Sequence, residues 1–367
     1  MERMSRSPVL PILLLISLLP SLSARAEDNV AAGLEEPSPA IRVAAVGDIM
    51  MGTTFPEPIL PPEDGATLFR SVAPLLAGYD VVIGNLEGPL TDLPRSPKCP
   101  KPRRHGRPCF AFRTPPRYAA RLAEAGFTAV NVANNHSLDF GMEGMDNTLD
   151  VLDAAGIDAV GGERIAVSAV AGKSVAAAGF SYSLRTPYVY PLLDVEAARE
   201  IVAQLKSEYD LVVVSFHGGA EGAPAMRVAD AEEEFMGEQR GNVVRFARAA
   251  VDAGADLVLG HGPHVPRAIE VYRGKLIAYS LGNFEVYSMF NVKGPSGLGY
   301  VLQAELDPGT GDVLRFRTPS VALRPLGIPH PDPSGRAEAL LRKLSEEFLA
   351  GEPDAAARRE TLSRLWK

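Results

Sequence analysis

The chain has 367 residues, 46% of them hydrophobic, with a formal net charge of −8 and two cysteines. Acid outweighs base, so no nucleic-acid partner is expected. The length suits one large domain or two modest ones.

Residues 1–26 read as a secretory signal peptide: Arg3 and Arg6 precede an apolar run from Val9 to Leu22, and Ala24-Arg25-Ala26 offers a small-x-small cleavage site. Retention as an N-terminal membrane anchor is the competing reading. Pro11, Pro20 and a run shorter than the roughly 20 residues of a bilayer crossing argue for cleavage. The signal carries three of the 37 basic and one of the 45 acidic residues, which leaves 34 − 44 = −10 on the mature chain. The expected location is across the cytoplasmic membrane, in the periplasm or cell envelope. Residues 27–40, acidic and containing proline, read as a flexible lead-in.

From Ile41 short β-rich runs alternate with helical patterns, the signature of an α/β chain with a largely parallel sheet. Strands are expected at 41–46, 80–83, 127–133, 210–216, 255–259 and 275–280, each nearly continuous in apolar residues and so buried on both faces. Helices are expected at Thr67–Ala77, Pro116–Ala125, Gly144–Ala155, Val195–Ser207 and Asn242–Ala253. Gly126, Gly156 and Gly254 follow three of them where a left-handed cap is wanted. The runs at 164–170 and 173–180, and those at 298–306 and 313–322, read as antiparallel hairpins. Residues 41–328 form the expected domain, and 329–367 a helical C-terminal tail. Leu340, Leu341, Leu344 and Phe348 share one face of that tail, which is expected to pack on the outside.

Cys99 and Cys109 are separated by nine residues in a Pro-rich stretch. An oxidising compartment allows them to pair, and closing that loop stabilises the fold by roughly 2.8 kcal/mol; free thiols are the alternative. Lys98, Lys101, Arg103, Arg104, His105 and Arg107 cluster around this loop with no acid among them. The patch reads either as a solvated loop or as a dock for a polyanion.

The residues that follow the apolar runs carry the chemistry. Asp48 follows the first run; Asn85 and Glu87 the second; Asn134, Asn135 and His136 the third. His217 follows the fourth, His261 and His264 the fifth, and Asn283 the last. Ligands of parallel α/β sheets bind beyond the carboxyl ends of the strands, so these side chains can converge on one crevice. Imidazole, carboxylate and amide donors without thiolate suit a divalent ion such as Zn, Mn, Fe or Mg. Each residue taken singly also has an ordinary role as a turn, cap or core group.

In this order GDIMMG (47–52), GNLEGPLTD (84–92), ANNHSLDFG (133–141), SFHGG (215–219), GHGPHVPRAIE (260–270) and SLGNF (280–284) resemble the CapA (PgsA-like) family of the calcineurin-type metallophosphoesterase superfamily. The resemblance runs from Ile41 to Phe284. It implies a four-layer αββα sandwich of two mixed sheets flanked by helices. It implies Asp48, Asn135, His217 and His261 as metal ligands, Asn85 or Glu87 in place of the superfamily's bridging Asp, and His264 completing the site. His136 resembles the histidine that protonates a leaving group or binds a substrate phosphate. The chain departs from the superfamily pattern at Met50, where a His ligand is usual, at Asn85, and in the two residues between His261 and His264.

Family resemblance implies a protein of poly-γ-glutamate-type capsule synthesis or export with a metallophosphoesterase-like metal site that either hydrolyses or binds a polymer or phosphate. Its partners would be an anionic envelope polymer or a phosphoester substrate, together with membrane synthase or exporter subunits. Two alternatives stand beside it: a non-catalytic accessory subunit with a vestigial site, and an extracellular phosphodiesterase or nucleotidase.

Overall fold

The computed structural model describes residues 39–367 apart from 101, 102, 105, 106 and 184, so the signal peptide and nearly all of the lead-in lie outside the described residues. Among the described residues no helix is long and apolar enough to cross a membrane.

Two seven-stranded mixed sheets make up the body. In the first, the long strand Ile41–Met50 has Val81–Leu86, Ala129–Asn131 and Asp158–Val160 stacked parallel on one side. On its other side the N-terminal half pairs antiparallel with Leu302–Leu306, and the C-terminal half pairs parallel with Asn283–Val286. Val313–Arg317 closes that edge. In the second sheet Lys173–Ser181, Leu211–His217, Leu257–His261 and Lys275–Ala278 run parallel, and the antiparallel strands Ala166–Val170 and Ile269–Tyr272 form its edges.

Strand alternation sorts the side chains into layers. Ile41, Val43, Ala45, Val81 and Ile83 meet Val175, Ala177, Leu211, Val213, Leu257 and Leu259 in one apolar core between the sheets. Ala44, Val46, Val82 and Val130 face helical residues such as Leu122, Leu149 and Leu152 instead. Val212, Val214 and Val258 do the same against Val202, Phe246 and Ala250. The resulting αββα sandwich is the architecture the resemblance implies.

Two expectations are revised. Only Ala73–Leu76 of the segment Thr67–Ala77 is α-helical, with proline in its first turn. Proline within a helix clashes with the carbonyl four residues back, so Pro74 allows a helix to begin there but not to pass through. The C-terminal tail is not an outer layer alone. Its helices Arg336–Ala350 and Ala355–Leu365 place Ala337, Leu341, Leu349 and Leu362, followed by Trp366, in the core between the sheets. Glu270, on the edge strand, is fully buried and pairs with Arg248 at 3.0 Å and with Arg358 of the last helix.

Candidate metal and acid–base site

Asp48 reaches the site through a β-bulge. Ala45 pairs with Ile83 and Asp48 with Asn85, so the first strand spends one residue more than its neighbour. Without it, alternation would turn Asp48 outward with Ala44 and Val46. Gly47 makes the bulge possible: a Cβ there would lie 1.9 Å from the Gly282 carbonyl oxygen.

The bulge aligns Asn283, Asp48, Asn85 and Asn131 across the first sheet. Ser181, His217 and His261 align across the second. These rows continue the core-facing positions of their strands, so they meet between the sheets at the strand ends.

Asp48 is fully buried, and one oxygen accepts from Asn85 Nδ2 at 2.9 Å while the other pairs with His264 Nδ1 at 2.9 Å. His261 Nδ1 lies 3.8 Å from Asp48 Oδ1, and Asn85 Nδ2 lies 3.4 Å from His217 Nδ1. His264 Nε2 faces Glu87 Oε1 at 3.6 Å and Glu221 Oε2 at 4.0 Å. Asp48, Asn85, Glu87, His217, His261 and His264 thus converge, as the strand-exit pattern suggests.

The two amides that the resemblance implies as ligands are placed differently. Asn85 Oδ1 accepts from the amides of Asn131 at 3.0 Å and Asn134 at 3.1 Å, so its nitrogen must face Asp48. Both ends of the Asn85 amide are thus engaged by protein groups, Nδ2 with Asp48 and Oδ1 with two neighbouring amides. Asn135 makes none of these contacts, although its Oδ1 is buried without a hydrogen-bond partner.

Electrostatics separates the histidines. Burial pushes the His217 and His261 imidazoles down, His261 to about 4 despite the nearby Asp48, so both are neutral at physiological pH. Burial also opposes the charge on His264, but Glu87 and Asp48 outweigh it and raise that imidazole to about 10. Glu87 is pulled up by burial, with His264 opposing.

A divalent ion fits these donors. His217 Nε2, both ring nitrogens of His261 and Glu87 Oε2 are buried and lack hydrogen-bond partners. Asp48, Glu87 and His264 each bring a ligand atom within 4.8 Å of the others. Neutral imidazole lone pairs beside a buried carboxylate are the donors that Zn, Mn or Fe prefer. Met50 is buried and, by alternation with Ile49 and Met51, falls on this side of the sheet.

His136 stands at the rim, its ring stacked on Phe112 at 4.1 Å; Phe290 bridges Phe112 and His264 at 5.4 and 4.7 Å. The His136 Nδ1 is 2.7 Å from the fully buried Asp139, which leaves Nε2 as the ring nitrogen not engaged by that carboxylate. Burial lowers its proton affinity, Asp139 opposes that, and Lys98 adds to it. Asp139, Asn131 and Glu221 were not among the expected site residues; Asn134 is expected only as part of the strand-exit triplet, and Lys98 only as part of the basic patch. For Asp139 the sequence held a signal, an Asp three residues after His136.

The sequence matches the family described as bacterial capsule synthesis protein PGA_cap over residues 42–287. It is 32% identical to the PGA biosynthesis protein CapA of Bacillus subtilis over 255 residues, 65% of this chain and 61% of that protein. It is 30% identical to the capsule biosynthesis protein CapA of Bacillus anthracis over 296 residues, 75% of this chain and 67% of that one. The chain therefore spans about three fifths of the length of the Bacillus subtilis relative. A phosphatase structure from Mycoplasma pneumoniae superposes with a TM-score of 0.48 at 14% identity, covering 80% of this chain and 95% of that one.

Proposed function

Since this chain belongs to the bacterial capsule synthesis protein PGA_cap family, we propose that it works at the cell envelope in the synthesis or export of an anionic capsule polymer of the poly-γ-glutamate type, through a metal-dependent hydrolytic site. The signal-like N-terminus supports that location. The observation that carries the hydrolytic part is the meeting of unpartnered, neutral His217 and His261 with Asp48, Glu87 and His264 beside the His136–Asp139 pair.

A divalent ion held by Asp48, Glu87, His217, His261 and His264 would polarise an ester oxygen and favour ionisation of an attacking water. Asn85 keeps Asp48 turned toward that ion. Asp139 fixes the His136 tautomer, so Nε2 of the imidazolium is the atom that gives a proton to the leaving group. Phe112, against the His136 ring, excludes water from one face. The basic hairpin, in which Arg103–Arg104 pairs with Arg107–Pro108, lies next in the chain to Lys98 and suits an anionic polymer as partner.

Asn85 and Met50 favour a second reading, an accessory subunit whose site binds without turnover, because both positions lack a ligand oxygen or nitrogen facing the cluster. Metal analysis of the purified chain, followed by phosphomonoester and phosphodiester assays, separates the two. The hydrolytic reading expects bound metal and a turnover that His136→Ala lowers by about 100-fold or more. Bound metal with no turnover on any ester supports the accessory reading, and turnover unaffected by His136→Ala refutes the role given to that residue.

A further inference from the structure

Cys99 and Cys109 are joined by a disulfide, and both lie in one apolar cluster with Phe140, four residues after His136. Cys99 is buried with Ala111 and Phe140, and partly buried Phe55, Leu93 and Cys109 complete a small apolar cluster separate from the three main cores. Hydrogen bonds tie this cluster to the site. The Cys99 N–H donates to Ser96 Oγ at 3.0 Å, and Ser96 Oγ donates to the Asp139 carbonyl at 2.6 Å.

At the edge of the cluster Lys98 leaves the bridge and turns inward. Its ammonium donates to Asp139 Oδ1 at 2.5 Å and to the Asn135 carbonyl at 3.1 Å. His136 Nδ1 is 3.3 Å away, but Asp139 holds the hydrogen on that nitrogen, so it cannot accept from Lys98. An ammonium has three N–H donors, and one is left over. The side chain remains 33% exposed and lines a cavity of about 460 Å³ shared with Asn135, Tyr182, Ser183 and Glu238.

We infer that the Cys99–Cys109 bridge is a working part of the site: it holds Lys98 against Asp139 so that the remaining N–H binds an oxyanion, phosphate or carboxylate, of whatever enters the cavity lined by Lys98, Asn134 and Asn135. The inference rests on reading the His136 cluster as the functional site but does not require that the site hydrolyse anything. Asp139 then serves both neighbours. It fixes the His136 tautomer with one oxygen and the Lys98 ammonium with the other, and Lys98 is a positioning and binding residue.

The test is calorimetric titration of the metal-loaded full chain with inorganic phosphate and, separately, with glutarate. Wild type is expected to bind at least one of them, and which one binds tells a phosphoryl from a carboxylate ligand. Lys98→Met should weaken that binding about tenfold or more, the size of a lost charge-assisted hydrogen bond. Lys98→Arg should restore most of it, which a purely structural role for the side chain would not predict. The double change Cys99→Ser and Cys109→Ser, in protein shown by circular dichroism to be folded, should weaken it in the same direction with Lys98 still present. No binding of either anion by wild type, or binding by Lys98→Met within about twofold of wild type, overturns the inference. A folded double-serine protein that binds like wild type refutes the part given to the bridge. Lys98-dependent binding without any ester turnover leaves this inference standing and sinks the hydrolytic one.

Discussion

The two rows that face each other across the sandwich are built on opposite terms. Around Asp48 on the first sheet the amides answer one another: Asn131 and Asn134 donate to Asn85, and Asn85 donates to Asp48. On the second sheet His217 and His261 are just as buried, yet His217 Nε2 and both His261 nitrogens meet no partner. Buried polar atoms without partners cost stability, so a fold tolerates them where something else satisfies them. The first row is a scaffold that fixes one carboxylate. The second row is a set of donors held ready for a ligand, and Asp48 is where the two meet.

Removing the meeting point should have the largest effect. Asp48→Asn keeps the shape but deletes the charge facing His264 and His261, and metal affinity is expected to fall by more than about 100-fold, beyond the loss usual for changes outside the ligand shell. Metal content after dialysis measures it. Retention of stoichiometric metal would mean that the two rows do not share an ion.

Next in size is the pH response of the metal-free protein. His261 is held at about 4 in the fold against an ordinary 6.5. As pH falls from 6.5 toward 4 the unfolded chain gains a proton the folded one refuses, and about 3 kcal/mol of stability is lost across that window. His264 behaves oppositely. Its raised affinity contributes fully below pH 6.5, and that contribution is lost as pH rises toward about 10. Thermal unfolding of chelator-treated protein should therefore show a maximum near pH 6.5. Metal loading should remove the alkaline decline, because the ion takes the place of the His264 proton. An alkaline decline that survives loading would place His264 outside the ligand set.

The scaffold and the donor row are distinguished directly by a pair of substitutions in metal-free protein. Asn85→Ala strips the acceptor from two buried amides and the donor from Asp48, and about 2 kcal/mol should be lost. Asn131 and Asn134 keep second partners at Ala133 and Leu86, which holds the cost near that figure. His261→Leu removes nitrogens that bond to nothing and should cost less than about 1 kcal/mol while abolishing metal binding. Equal losses in denaturant unfolding for the two proteins would erase the distinction between the rows.

The sequence carried the donor row openly and hid the scaffold. His217 and His261 end apolar runs whose alternate residues point to the core between the sheets, so their position follows from strand periodicity. Asp48 does not obey that periodicity, since the run from Ile41 is apolar on both faces and leaves no trace of the bulge at Gly47. The triplet Asn134-Asn135-His136 marked a site but not which amide bonds where, because that depends on the turn. Helical spacing in the tail marked an apolar face, whereas its division between the core between the sheets, which takes Leu341, and the outer face of the second sheet, which takes Leu344, is a matter of tertiary contact. Pro74 confines the helix expected at Thr67–Ala77 to Ala73–Leu76, because a proline can open a helix but not lie inside one.

Met50 supplies the finest test of whether the donor row stops at the second sheet. A thioether is a poor ligand for a hard or borderline divalent ion, and here it stands two residues beyond Asp48 on the core-facing side of the first strand. Met50→His replaces it with a group of comparable bulk and a nitrogen lone pair. If that face opens on the ion, affinity should rise about tenfold, roughly 1.4 kcal/mol, or a further equivalent of metal should bind. The metal-free protein should meanwhile lose stability, since the new imidazole enters a buried place with no partner assured. Unchanged affinity together with lower stability would mean that the first sheet contributes Asp48 and Glu87 to the ion and nothing further along the strand, and the accessory reading would gain accordingly.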